Sequence, residues 1–573
     1  MRFIFTILLV LASMLSFSQK MGIDTTVLIG KETWIYNTRS MEVNDYGDKY
    51  IMGFYKGQMT IGGITITTNT VPNYSQNLGL FMAKYNSNND FLWFKKIGEC
   101  DTLITYKHCL DSKGNIVFGI TTRADFEMTI DTIQSKGLTD IVILKYDSSG
   151  TRIFKKGINT SIYENVFDII ADDLDNIYFS GVYGIDFNGN LQNSQINFGN
   201  TILQDTTKQD YLAKYDSVGN EIWVKTYGTQ YGSPMAYLDY SEGKIYAVGV
   251  CGSKINNDFR GATLNFPQNY LRNCFIAQLD TAGNGIWARH FGSGSPDFLS
   301  VLNPFDIKAS GNRVSFTATD FSNIQTVFYF QGGPTLSGPN QDDYVIATYD
   351  TLGNFKWNTI SKGFGSEFMA SLAYDSLNNL YGLGYHNFKM NFPTDTLLSK
   401  GGNDIHVVSY DSNGIYRFAF SAGGAGGDIG SDIEINKQGD IYIVGGTTSN
   451  PCYMGNDTLY PSIGQSTIFY ARIDSIDSIP NVSTSLQDFK RQDWSIYPNP
   501  VFDIMNIQVA TDKVNNLEQV AIYDMLGRQI KIQNLTQVRS DYIPINISAL
   551  SEGVYIVTIK TKEATSSRKI IKR

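Results

Sequence analysis

Histidine is scarce in this chain of 573 residues: His108, His290, His386 and His406 are all there is. None lies in a His-x-x-x-His or similar spacing, so a metal centre built on histidine has weak support. Cysteine is sparse too, with Cys100, Cys109, Cys251, Cys274 and Cys452 and no Cys-x-x-Cys pair. In an exported chain Cys100 with Cys109, or Cys251 with Cys274, are the nearest candidate disulfides. Unpaired buried thiols fit those positions equally well, and the odd count leaves one over. No Gly-x-Ser-x-Gly elbow marks a nucleophile. The run Gly423 to Gly427 leads into neither a helix nor Gly-Lys-Ser/Thr, which argues against a phosphate loop. Positive charge is in deficit, with 46 Lys and Arg against 55 Asp and Glu and a net charge of -9. That balance argues against a nucleic-acid binder.

What is abundant is aromatic and flexible. Aromatic residues make up 13% of the chain, with 35 Tyr and 34 Phe, and there are 53 Gly. This composition favours strands and turns. The N-terminus is different. Arg2, the apolar run Phe3 to Leu15 and the small residues of Ser16-Phe17-Ser18 predict a secretory signal peptide over residues 1–18. No Cys follows it, and no later run is long and apolar enough for a transmembrane helix.

One phrase returns along most of the chain. In its clearest copy, Tyr211 to Lys225, it reads as a strand, an Asp216-Ser217-Val218-Gly219 turn, and a second strand carrying Trp223. Copies are anchored at Asn86, Asp147, Asp280, Asp350 and Asp411, and a half copy at Asp474, spaced 61–70 residues apart. A period of that size predicts a modular β array. Each repeat reads as four strands. The second follows a turn, as in Asn176 to Gly181, and the fourth carries Trp93, Trp223, Trp287 or Trp357, with Phe154 and Phe418 near that position in two copies. Between the second and third strands lies a variable excursion with an apolar-x-aromatic step, such as Ile196-Asn197-Phe198 or Met390-Asn391-Phe392, expected to form an extended hairpin on one face.

The last repeat lacks its Trp strand, and a spare one, Thr33 to Thr38, stands at the front. The expected fold is therefore all-β: a seven-bladed β-propeller whose last sheet is completed by the N-terminal strand, which removes an exposed edge. The Asp of the turn is expected to bond backbone, and Gly to take a positive φ. Asp140, Asp210, Asp343 and Asp404, which precede the third strands, are expected to be turn or cap residues.

Phe-Ile-Ala-Lys-Tyr-Asp-x-x-Gly-Asn-x-x-Trp joined to Gly-Asn-x-Tyr-x-x-Gly resembles the bacterial β-propeller repeat family abbreviated SBBP, over Lys31 to Ser475. The Asp-x-x-Gly-x-x-x-Trp turn is also similar to that of quinoprotein propellers. Those usually have Thr before the Gly and small residues before the Asp, whereas this chain typically has Tyr there, so the likeness is read as shared blade construction. No catalytic, cofactor-binding or metal-binding residue is assigned. The densest acidic cluster, Asp172-Asp173-Leu174-Asp175, lacks the full Asp-x-Asp-x-Asp-Gly pattern of a calcium loop, which leaves structural calcium as an alternative.

After a polar linker at 476–493, residues 494–573 read as a small antiparallel β-sandwich. Its motifs are Tyr497-Pro498-Asn499-Pro500, Tyr523-Asp524-x-x-Gly527, Leu550-Ser551-x-Gly553-x-Tyr555, and a basic last strand with Lys569. In this order they resemble the type A C-terminal sorting domain of the type IX secretion system. That resemblance implies Sec export, then passage across the outer membrane with the secretion machinery as partner. It further implies removal of the sorting domain and release or surface attachment of the rest. Residues 19–475 are then a secreted or surface-displayed binding or scaffold protein for an unidentified glycan, matrix or protein ligand. The alternative is an extracellular polysaccharide lyase or hydrolase. Carboxylates converging with Tyr, His or Arg at the axial mouth would favour the enzyme; apolar or scattered polar groups would favour the binder.

Overall fold

A computed structural model gives the three-dimensional structure. It describes residues 21–32, 39–68, 77–101, 103–159, 163–185, 194–205, 209–227, 235–252, 257–264, 272–294, 302–321, 327–338, 342–363, 365–455, 457–461, 466–475, 494–497, 501–509, 517–524, 528–535, 542–561 and 565–573. The predicted signal peptide, the Thr33–Thr38 strand and the 476–493 linker lie outside the described residues. Every regular element among the described residues is a β-strand. The chain divides into two compact units, Met1–Ser478 and Ile479–Arg573.

The first unit contains seven four-stranded antiparallel sheets in chain order, each read from first to fourth strand. Sheet 1 is Arg39–Val43, Lys49–Lys56, Leu78–Tyr85 and Phe91–Cys100; sheet 2 is Leu103–Leu110, Ile116–Thr122, Asp140–Tyr146 and Arg152–Ile158. Sheet 3 is Tyr163–Ala171, Ile177–Ile185, Gln209–Tyr215 and Glu221–Tyr227; sheet 4 is Met235–Ser241, Lys244–Gly252, Arg272–Asp280 and Gly285–Gly294. Sheet 5 is Leu302–Ser310, Arg313–Asp320, Asp343–Asp350 and Phe355–Ile360; sheet 6 is Glu367–Tyr374, Leu380–His386, Asp404–Tyr410 and Tyr416–Gly424. Sheet 7 is Asp428–Ile435, Ile441–Thr447 and Ser466–Ser475, with Met21–Glu32 as its fourth strand. That last pairing runs antiparallel from Met21↔Ser475 to Glu32↔Ser466. The strand that completes the sheet thus lies just upstream of the Trp34 segment expected to do so.

Burial follows from position in a stack of sheets. Second and third strands are covered on both faces and read as continuous apolar runs: every residue of Ile116–Thr122 and Leu78–Tyr85 is buried. Fourth strands have one wet side, and Arg152–Ile158 alternates between exposed and half-buried positions until its buried last residue. Apolar cores fill the gaps between consecutive sheets. Trp287 and Val248 of sheet 4 meet Phe316 and Val345 of sheet 5. Ile51 and Phe81 of sheet 1 meet Val444, Ile468 and Tyr470 of sheet 7.

The repeated turn works as its residue types require. Asp216 Oδ1 accepts the N–H groups of Val218 (3.0 Å) and Asn220 (2.8 Å), and Asn220 Nδ2 donates to Asp216 Oδ2 at 2.9 Å. The glycine of the turn does more than take a positive φ. At Gly353 (φ +79) a Cβ would sit 2.8 Å from the ring of Trp287 in the preceding sheet, and at Gly414 (φ +79) 2.5 Å from Trp357. Trp287 Nε1 donates to Thr351 O at 3.0 Å. Gly and Trp of one phrase therefore serve different junctions: the Trp reaches the turn of the next sheet.

The excursions fold as hairpins, as expected from the sequence. Hairpins leaving sheets 2, 5 and 7 add two strands to the outer edge of the sheet before. Phe126–Glu127 joins Phe91–Cys100, Val327–Phe330 joins Gly285–Gly294, and Cys452–Met454 joins Tyr416–Gly424. Each excursion sends some of its apolar residues into the core: Cys452 and Met454, and from the excursions of sheets 3 and 6 Ile196, Phe198 and Met390, are all fully buried, while Val327, Tyr453, Ile202 and Leu398 stay exposed. The hairpins cover edges that would otherwise offer unpaired backbone.

The second unit has two antiparallel sheets. One is Trp494–Tyr497, Ile504–Val509 and Tyr542–Asn546; the other is Gln529–Asn534, Leu517–Asp524, Gly553–Thr561 and Thr565–Lys572. Met505, Ile507, Val520, Ile522, Val557, Ile559 and Ile570 share one core with Trp494.

Candidate functional site

Among the described residues, the first strands of the seven sheets carry a concentration of charge that differs from repeat to repeat. In five of them a β-bulge precedes the key position: the register shifts before Asp168, Tyr237, Asp306, Ser371 and Asp432. A bulge re-aims the side chain that follows it. The matching register position holds Ser40 in sheet 1 and Lys107 in sheet 2. Two residues further on stand Glu42, Asp239, Lys308 and Glu434, on the same side of their strands.

These groups meet. Asp168, Asp306 and Asp432 each accept the next backbone N–H of their own strand at one oxygen, at 3.0, 2.8 and 3.0 Å. At the other oxygen each accepts an N–H from the following sheet: Leu238 at 2.7 Å, Leu372 at 2.7 Å and Met41 at 3.1 Å. Asp239 accepts the Ala309 N–H at 2.5 Å. Ser371 Oγ lies 2.8 Å from Asp432 Oδ1 and 3.3 Å from Asp306 Oδ2. His108 Nδ1 lies 3.0 Å from Glu42 Oε1. Longer reaches skip a sheet. Lys107 Nζ stands 4.3 Å over the Tyr237 ring, and Lys308 Nζ is 3.5 Å from Glu434.

Six carboxyls face two lysines, and burial makes the imbalance matter. The Glu42 carboxyl is pushed up to about 8, first by burial, against the pull of Lys308, and then by Asp432, Asp168 and Asp239. Burial raises Asp306 to about 7 and Asp239 to about 6, again opposed by Lys308. Burial holds His108 down to about 4, so its contact with Glu42 is a hydrogen bond between neutral groups near pH 7. Lys308 is held well above its usual range, first by Glu434. Burial works against the Lys107 charge, yet Asp168, Asp306 and Asp432 raise it.

The other sequence candidates go elsewhere. Asp172 is used by Asn176, Leu174 N and Tyr178, Asp173 by Tyr240, and Asp175 by Ser112 and Lys113. Asp140, Asp210, Asp343 and Asp404 are buried at the starts of their strands. Asp140 accepts Lys136 N at 3.1 Å and Asp404 accepts Lys400 N at 2.9 Å, as cap residues do. Cys100, Cys109, Cys274 and Cys452 form no disulfide, so neither candidate pair is present. His386 and His406 are fully buried and pack edge to face at 5.6 Å.

In the second unit the sorting motif residues are spread out. Tyr497 ends the first strand, Gly553 opens the strand that contains Tyr555, and Lys569 is exposed on the last strand. Tyr555 Oη donates to Ser551 O at 2.9 Å. Pro498, Asn499, Pro500 and Gly527 lie outside the described residues.

The first unit is a β-rich, propeller-like repeat array. The second is a sorting domain: residues 495–573 match the family described as the secretion system C-terminal sorting domain. Over 177 residues the chain is 27% identical to an uncharacterized WD repeat-containing protein of Acanthamoeba polyphaga mimivirus, covering 29% of this chain and 13% of that protein. Among solved structures, a DUF4221 family member from Bacteroides vulgatus aligns with a TM-score of 0.31 at 10% identity, over 79% of this chain and 98% of its own. The phage phi92 endosialidase aligns with a TM-score of 0.33 at 11% identity, over 96% of this chain and 86% of its own. Likenesses this remote say nothing of activity here. The sorting domain marks the chain for secretion or the cell surface, and no helix among the described residues is long and apolar enough to cross a membrane.

Proposed function

We propose that this is a binding or scaffold protein that leaves the cell by type IX secretion, built as a closed seven-bladed propeller of SBBP-type repeats. In this reading residues 1–18 direct Sec export, 19–475 form the propeller, 476–493 are the linker and 494–573 are the sorting domain. The observation that carries it is the family match over residues 495–573. The sorting signal comprises Tyr497, Pro498, Asn499, Pro500, Gly527, Gly553, Tyr555 and Lys569. Closure is supported by the Met21–Glu32 strand on sheet 7 and the core shared by sheets 7 and 1.

Deleting Val520–Arg573 should strand the propeller in the periplasm. Its unchanged appearance in the medium or on the cell surface would refute the sorting role.

In a closed propeller the first strands line the axis, so the carboxylates beside Tyr237 and His108 also raise the enzyme reading, a polysaccharide lyase or hydrolase. Their bonding favours the binder. Asp168, Asp306 and Asp432 already hold backbone N–H groups of two sheets, and Glu42 holds His108. A general acid or base needs a free oxygen within reach of substrate. A glycan array with a polysaccharide degradation screen on the secreted protein separates the two: binding without product supports the binder, and product formation overturns it.

A further inference from the structure

Ser371 holds an unusual position at the axis. Its hydroxyl has one proton, yet it lies within hydrogen-bond range of carboxyl oxygens on both sides, Asp432 at 2.8 Å and Asp306 at 3.3 Å. If Ser371 donates to the nearer Asp432, the Asp306 contact is a hydrogen bond only when Asp306 carries a proton and donates it. The protonated oxygen keeps a lone pair for the Leu372 N–H at 2.7 Å. We propose that the axis is a pH-operated clasp, in which a proton on Asp306 links sheets 5, 6 and 7 through Ser371 and its loss opens the link.

The surroundings determine the direction of the effect. Asp306 shares its strand with Lys308, and across its sheet it faces Thr317. Sheet 4 presents Tyr237 and Asp239, sheet 6 Ser371, and sheet 7 Asp432 and Glu434. Glu42, Lys107, His108 and Asp168 complete the axis from sheets 1, 2 and 3. Two lysines cannot balance six carboxylates, so each proton lost adds repulsion among strands that converge there. Burial raises Asp306 to about 7 in the folded chain from an ordinary 3.8. Its stabilising share is therefore complete below about pH 4 and is lost as pH rises through about 7. Glu42 behaves alike about one unit higher.

The test is thermal melting of the mature full-length protein from pH 5 to pH 9. The wild type should lose roughly 2 °C or more as pH rises through 7. In Asp306→Asn the amide donates to Ser371 at every pH, so the fall between pH 5 and pH 7 should be shallower than in the wild type, with only the shares of groups such as Asp239 and Glu42 left. Coincident profiles for the two proteins would overturn the clasp. Ser371→Ala gives an independent readout should Asp306→Asn fail to fold. It should lower the melting temperature more at pH 6 than at pH 9, because the Asp306 half of the bridge is already open at the higher pH. An equal loss at both would overturn the proposal.

Discussion

In sheets 5 and 6 the outer turn sets a glycine against the tryptophan of the sheet before, Gly353 on Trp287 and Gly414 on Trp357. Along their first strands, which line the axis of the proposed propeller, the same two sheets present Asp306 and Ser371, and their neighbours present Tyr237 and Asp432. The rim repeats one apolar device, while the axis joins the same sheets with polar groups that change from one to the next. A residue that must fill the same gap in sheet after sheet cannot vary much. A residue that bonds to whatever its neighbour offers can vary, provided the pair stays satisfied. Sequence differences of functional interest should therefore be sought at the axis, where the scaffold tolerates them.

The sharpest way to break this comparison is at the rim. Trp287 is only 6% exposed, lies in the core between sheets 4 and 5, and donates to Thr351 O. Trp287→Ala should cost about 3–5 kcal/mol, as large-to-small core changes do. The measure is the urea midpoint of the first unit. A loss below about 1 kcal/mol would mean that the rim does not carry the junction.

A smaller loss is expected at the axis. Asp168→Ala removes the acceptor of the Ile169 N–H and of the Leu238 N–H, which belongs to a fully buried residue. The cost should be about 1–3 kcal/mol, the price of an orphaned buried donor. If it equals or exceeds that of Trp287→Ala, the axis rather than the rim holds consecutive sheets together.

Much of the rim was legible in the sequence and little of the axis. Asp216, Gly219 and Trp223 announce a turn and a packed strand through residue type and spacing alone, and seven copies leave the period in no doubt. Asp168, Asp306 and Asp432 sit in segments readable as first strands. Nothing local marks them as partners, because Asp168 and Asp306 bond to backbone 70 and 66 residues away and Asp432 to backbone 391 residues away, and each depends on a bulge to aim it. The excursions were legible as hairpins, and Ile196-Asn197-Phe198 pairs as one; what the sequence did not show is that both apolar side chains enter the core. Trp34 carries the fourth-strand signature that pointed to Thr33–Thr38, which lies outside the described residues, whereas pairing with Ser466–Ser475 is made by Met21–Glu32.

The gentlest test bears on the repeated phrase itself. Asp216 is at the wet end of its hairpin, where its oxygens hold Val218 N, Asn220 N and the Asn220 amide. Those bonds hold the carboxylate below its usual range despite opposing burial. Asp216→Ala should cost only about 0.5–1.5 kcal/mol, because water can replace most of what is lost at an exposed turn. A group whose folded pKa is depressed contributes stability above its unfolded value, and the contribution disappears on acidification. The difference between wild type and Asp216→Ala should therefore be present at pH 7 and shrink below about pH 4. Equal melting shifts at pH 7 and pH 3 would show that the turn acts through backbone shape rather than through its charge.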